Sequence, residues 1–153
     1  HVMTRILTIS APGSLAAALA VLRNGKPVAL PTETVYGLAA DAPDPAAITA
    51  IYETKGRPRF NPLIAHVADI EMAKAHVRFS PLAEKLAEAF WPGPLTLVLP
   101  LSETSQIHPL ATAGLGTAAI RMPEGFAREL IAGFGKPRRP PGRFICCLSK
   151  YQR

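Results

Sequence analysis

Short apolar runs, PVALP (27–31), PLIAHV (62–67), WPGPLTLVLP (91–100) and TAAIRMP (117–123), alternate in this chain with segments bearing helix start and stop signals. That alternation restricts the fold more than any other feature. Ser14 precedes LAAALAVLRNG, which Asn24-Gly25 closes, so the spacing predicts a helix capped by Ser14 and stopped by glycine. Asp44-Pro45 opens AAITAIYETKG with a cap and a proline in the first turn, and Gly56 stops it. DIEMAKAHV predicts a short helix, Ser80-Pro81 repeats the cap-plus-proline signal before LAEKLAEAF, and EGFARELIAGFG reads as helical. Strands and helices in turn predict a layered α/β domain. The 153 residues suit one such domain, and 48% apolar content supplies it with a core.

The net charge of +6 is not a property of that domain. Residues 1–135 hold 11 Lys and Arg against all 11 Asp and Glu, so the body is neutral. The excess lies in residues 136–153, where Lys136, Arg138, Arg139, Arg143, Lys150 and Arg153 meet no acid. Cys146 and Cys147 also lie there, and adjacent cysteines are poor partners for each other. The segment KPRRPPGRFICCLSKYQR shows neither helical nor strand periodicity, and a basic nucleic-acid-binding tail or an altered reading frame are its two readings. No run approaches the ~18 apolar residues of a membrane span and no signal-peptide pattern opens the chain, so the expected address is cytoplasmic, with no membrane partner.

Three places offer chemistry. LPTETVYGLAADA (30–42) puts Thr32, Glu33, Thr34 and Tyr36 just past an apolar strand, where ligands of open α/β sheets settle, and Gly37 allows close backbone approach. The alternative there is a turn whose hydroxyls cap a following helix. In KGRPRFNPLIAH, Lys55, Arg57 and Arg59 lie on or beside a Gly/Pro-constrained loop, followed by Asn61 and His66. Such cations complement a helix dipole or grip phosphate oxygens. His66 alone, between apolar neighbours, reads as a core histidine. Arg121 ends an apolar strand, where an unpaired guanidinium is costly to bury, so it should meet an acid or an anionic ligand. Walker, GxGxxG, HExxH and CxxC patterns are missing from the sequence, and no metal-ligand set is assigned.

LPTETVYGLAADA, IYETKGRPRFNPLIAHV, FWPGPLTLVLP and GTAAIRMP, in this order and spacing, closely resemble the YrdC-like family of threonylcarbamoyl-AMP synthases across about residues 12–137. The resemblance implies a twisted mixed α/β sheet with flanking helices around a large concave cavity. It implies an enzyme, a nucleotidyltransferase that joins L-threonine, bicarbonate and ATP into threonylcarbamoyl-AMP and releases pyrophosphate, with Mg2+ assisting. A downstream threonylcarbamoyl transferase complex would pass the group to adenosine 37 of tRNA. Thr34, His66 and Arg121 match threonine-binding positions; Lys55, Arg57 and Asn61 match those holding ATP phosphates, with Lys55 and Arg57 the catalytic charges; Thr117 matches a nucleotide contact.

The match stops after GKP. The family continues with an Ala-Pro-Ser-Ala-Asn stretch where this chain has RRPPGRFICC. Read one base later, RRPPGRFI can encode Ala-Ala-Pro-Arg-Ala-Asp-Ser-Ser, so the sequence predicts a family domain over 1–137, incomplete at its end, and a basic non-family tail over 138–153 that is disordered or arises from a shifted frame. A truncated chain of that kind would be impaired in catalysis. The alternative function is a non-catalytic module of the same fold that binds double-stranded RNA or tRNA, with Lys55, Arg57, Arg59 and Arg121 following phosphates.

Overall fold

The computed structural model describes residues 6–31, 36–56, 62–135 and 144–149; the side chains of Lys55 and of residues 146–149 are outside that description. Among the described residues five helices accompany six strands in the order α1 (Ser14–Arg23), β1 (Val28–Pro31), β2 (Tyr36–Asp41), α2 (Pro45–Lys55), β3 (Ile64–His66), α3 (Ile70–His76), α4 (Pro81–Phe90), β4 (Leu97–Pro100), β5 (Thr117–Arg121), α5 (Phe126–Gly135) and β6 (Ile145–Ser149). The strands form one mixed sheet in the order β1-β2-β6-β3-β5-β4. Only β3 and β5 pair in parallel; the other neighbours are antiparallel.

The helix signals act as their chemistry dictates. Asp44 accepts from Ala46 N at 2.9 Å, Asp69 from Met72 N at 2.8 Å and Ser80 from Ala83 N at 3.1 Å, each satisfying an amide that lacks an intrahelical partner. Gly56 ends α2 at φ 61°, the left-handed conformation that favours glycine. The expected cap of α1 is displaced by one residue. Gly13 holds the cap position at φ 82°, and Ser14, already helical, donates its hydroxyl to Thr8 O at 2.5 Å. A side chain committed to the preceding loop cannot also cap the helix behind it.

Two strands depart from the sequence expectation. YGLAAD forms β2, hairpin partner of β1, with Pro31 opposite Tyr36 and Val28 opposite Ala39. Its glycine and alanines carry little intrinsic strand preference, so pairing rather than propensity makes it a strand. The larger departure is β6. The segment read as a tail without periodicity supplies a strand inserted between β2 and β3, with Ala40 and Ala65 both paired to Cys146. The run FICCL lacks the period-2 alternation expected of an antiparallel strand, and the surrounding arginines and prolines hid it further. Phe144 and Ile145 are both fully buried and belong to the same core as Leu30, Ile48, Ile51, Tyr52, Ile120, Leu130, Ile131 and Phe134.

Candidate active site

Because β3 and β5 run in parallel, their last residues finish side by side, and those residues are His66 and Arg121. The two are 55 positions apart in sequence yet directly paired in the sheet. Val67 N donates to Arg121 O at 3.0 Å, extending the ladder one step beyond the pair and fixing its backbone.

His66 is 2% exposed, and its Nδ1 lies 2.9 Å from Ile64 O. A carbonyl oxygen only accepts, so Nδ1 carries a proton, and in the neutral ring Nε2 is the acceptor. Arg121 is half-buried, and its Nε donates to Thr96 Oγ1 at 2.9 Å. No carboxylate forms an ion pair with it among the described residues. Of the two outcomes expected for this guanidinium, an internal acid or an external anion, the first is not met within the described protein.

The same row continues across the sheet, since His66 pairs with Ile145 and Ile145 with Asp41. At ~4.8 Å between strands, the row from Arg121 to Asp41 spans roughly 14 Å. Asp41 is 2% exposed, a buried carboxylate on the same sheet face as His66. Neither Asp41 nor Thr96 was singled out from sequence. Asp41 carried a usable signal as the sole carboxylate of YGLAAD; Thr96 carried none, because its partner lies 25 residues on.

Thr117 opens β5 and so stands at the far end of the strand from Arg121, about 13 Å away at ~3.3 Å per residue. Thr117, Ala119 and Arg121 share the less buried face, while Ala118 and Ile120 point into the core. Lys55 ends α2. Thr34, Arg57 and Asn61, as well as Arg59, lie outside the described residues. The structure thus brings His66 and Arg121 together, sets Thr117 apart on the same face, and leaves the expected phosphate-binding side chains undescribed. No group of three or more His, Cys, Asp or Glu that could hold a metal occurs among the described residues. No described helix is long and apolar enough to cross a membrane. A half-buried cation beside an imidazole acceptor can seat a small zwitterion: the guanidinium takes its anionic group, and the ring accepts from a neighbouring N–H or O–H.

The Sua5_yciO_yrdC family model, described as "Telomere recombination", matches residues 20–147. The threonylcarbamoyl-AMP synthase of Pyrococcus abyssi is 53% identical over 126 residues, 81% of this chain and 36% of that protein. The Bacillus subtilis protein of the same name is 48% identical over 129 residues, 83% of this chain and 37% of its own length. Among solved structures, P. abyssi Sua5 complexed with L-threonine superposes with a TM-score of 0.75 at 44% identity, covering 88% of this chain and 38% of that one. The chain therefore spans little more than a third of the length of these relatives.

Proposed function

The chain belongs to the Sua5/YciO/YrdC family, and from that premise we propose that it carries the threonylcarbamoyl-AMP synthase reaction, joining L-threonine, bicarbonate and ATP with release of pyrophosphate. The observation that carries this reading is the cross-strand pair of His66 and Arg121, a cation without an acidic partner among the described residues beside a hydrogen-bonding ring.

Arg121 meets the threonine carboxylate or the carbamate, and His66 and Thr34 bind the rest of the amino acid. The threonine amine and bicarbonate combine with loss of water to give a carbamate. A carbamate oxygen attacks the α-phosphorus of ATP, an O–P bond forms, the bond to the β-phosphate breaks, and pyrophosphate leaves with its electron pair. Lys55, Arg57 and Asn61 hold the phosphates, Lys55 and Arg57 offsetting charge that builds on the leaving group. Thr117 contacts the nucleotide, and the length of β5 between Thr117 and Arg121 suits a ligand with two separated ends, lying in a concave cavity over this face. No protein nucleophile is required, and the work is positioning, neutralisation and exclusion of water from a hydrolysable mixed anhydride. Mg2+ would arrive on the ATP phosphates, since this ion is commonly held by substrate phosphate oxygens with only one or two protein carboxylates. The product would pass to a threonylcarbamoyl transferase acting on tRNA adenosine 37.

Titration of the 153-residue chain with L-threonine and with ATP tests the reading. Both ligands should bind, and Arg121→Ala should weaken L-threonine by roughly 1.5–3 kcal/mol, the scale of a lost charge-assisted hydrogen bond. The affinity for ATP should stay close to that of the parent. A folded chain that binds neither ligand overturns the proposal.

A further inference from the structure

We propose that Thr96 is a positioning residue that aims the Arg121 guanidinium at the anionic end of the substrate. This inference rests on the reading of Arg121 as the group that meets the threonine carboxylate or carbamate.

A guanidinium is a planar fork, and fixing one edge sets the direction of the others. Thr96 Oγ1 accepts the Nε hydrogen at 2.9 Å, and since the two terminal nitrogens have no partner among the described residues, a ligand can take them. The register of β4 on β5, with Leu97 opposite Ile120, puts Thr96 opposite Arg121 one step further along the ladder. The turn that presents Thr96 is itself tied down. Trp91 Nε1 donates to Leu95 O at 2.8 Å, and Gly93 N donates to Met122 O, also at 2.8 Å, the residue after Arg121. Phe79 packs edge-on against the Trp91 ring at 6.0 Å between centroids and 85° between planes. Thr96 is in addition β-branched, so its hydroxyl has few rotamers.

The type of residue matters as much as its place. An aspartate or glutamate opposite Arg121 would hold Nε equally well but would neutralise the cation and compete with the substrate's anion. A hydroxyl orients the guanidinium and leaves its charge available. This accounts for a half-buried arginine that is held on one edge yet has no acidic partner among the described residues.

The test compares Thr96→Val, nearly the same shape without the acceptor, and Thr96→Ser, which keeps it. In 15N-labelled protein the Arg121 Nε–H resonance should be present in the parent and in the serine variant. It should broaden or shift to the solvent-exposed arginine position in the valine variant. Thr96→Val should bind L-threonine roughly tenfold more weakly with ATP affinity nearly unchanged, and Thr96→Ser should restore most of it. In an Arg121→Lys background, which lacks Nε, Thr96→Val should add no further loss. An Arg121 Nε–H signal that Thr96→Val leaves untouched, or equal losses for both ligands, overturns the positioning role. A parent that fails to bind L-threonine overturns the functional reading instead, while the resonance still decides the geometry.

Discussion

His76, at the end of α3, is completely buried with its ring centroid 4.1 Å from that of Phe144. Its Nδ1 accepts from Gln106 N at 3.1 Å, so the neutral ring carries its proton on Nε2, which is buried with no hydrogen-bond partner among the described residues. Burial lowers its pKa from 6.5 to about 4. The linkage follows from that depression. Above pH 6.5 folded and unfolded chains both hold the ring neutral. Below it the unfolded chain takes up a proton that the folded chain refuses until about pH 4, so stability falls across that window by up to about 3 kcal/mol. Urea midpoints at pH 7.5 and pH 5 should therefore differ more in the parent than in His76→Leu. Equal pH sensitivity in both would show that the ring is solvated. Of the residues in this fold, Arg121 was the most legible from sequence, because a guanidinium at the end of TAAI demands a partner wherever the strand goes. The distant side chain that meets it was not legible, because a 25-residue separation carries no local pattern.

At the scale of elements, local chemistry was readable wherever it acts over a few residues. Asp44, Asp69, Ser80 and Gly56 each mark a helix boundary, since a cap is a contact between neighbours in sequence. Pairing is not local, so β2 was hidden behind weak strand formers and the hairpin with β1 could not be inferred. Pro92, Gly93 and Pro94 give WPGPLT the local chemistry of a tight turn between α4 and β4, but nothing local marks its use as a mount for Thr96. The glycine in that turn is required by space. A Cβ on Gly93 would sit 2.6 Å from Phe90 O, a backbone atom that cannot swing away. Gly93→Ala should therefore move the turn, lower the thermal midpoint by an amount corresponding to about 1–3 kcal/mol, and weaken L-threonine as Thr96→Val does. A variant with the parent's melting temperature and ligand affinity would mean that the turn gives way without cost.

For the whole molecule the decisive element is β6, the strand drawn from the segment that sequence periodicity left without structure. It pairs on both sides, with β2 and with β3, and so joins the β1–β2 hairpin to the β3–β5–β4 half that bears His66 and Arg121. Amides of 145–149 should accordingly exchange as slowly as those of β3 in native-state hydrogen exchange. Deleting residues 144–153 would leave facing edges on β2 and β3 and remove Phe144 and Ile145 from the core. Each such buried side chain stabilises by ~1.5–3 kcal/mol and a domain of this size by ~5–15 kcal/mol in all. Adding the unpaired ladder, the loss approaches the whole margin. The shortened chain should lose its cooperative urea transition and aggregate, whereas the 153-residue chain should unfold in one step. A shortened chain with the same sharp midpoint would place residues 145–149 outside the working sheet and return them to the status of a basic tail.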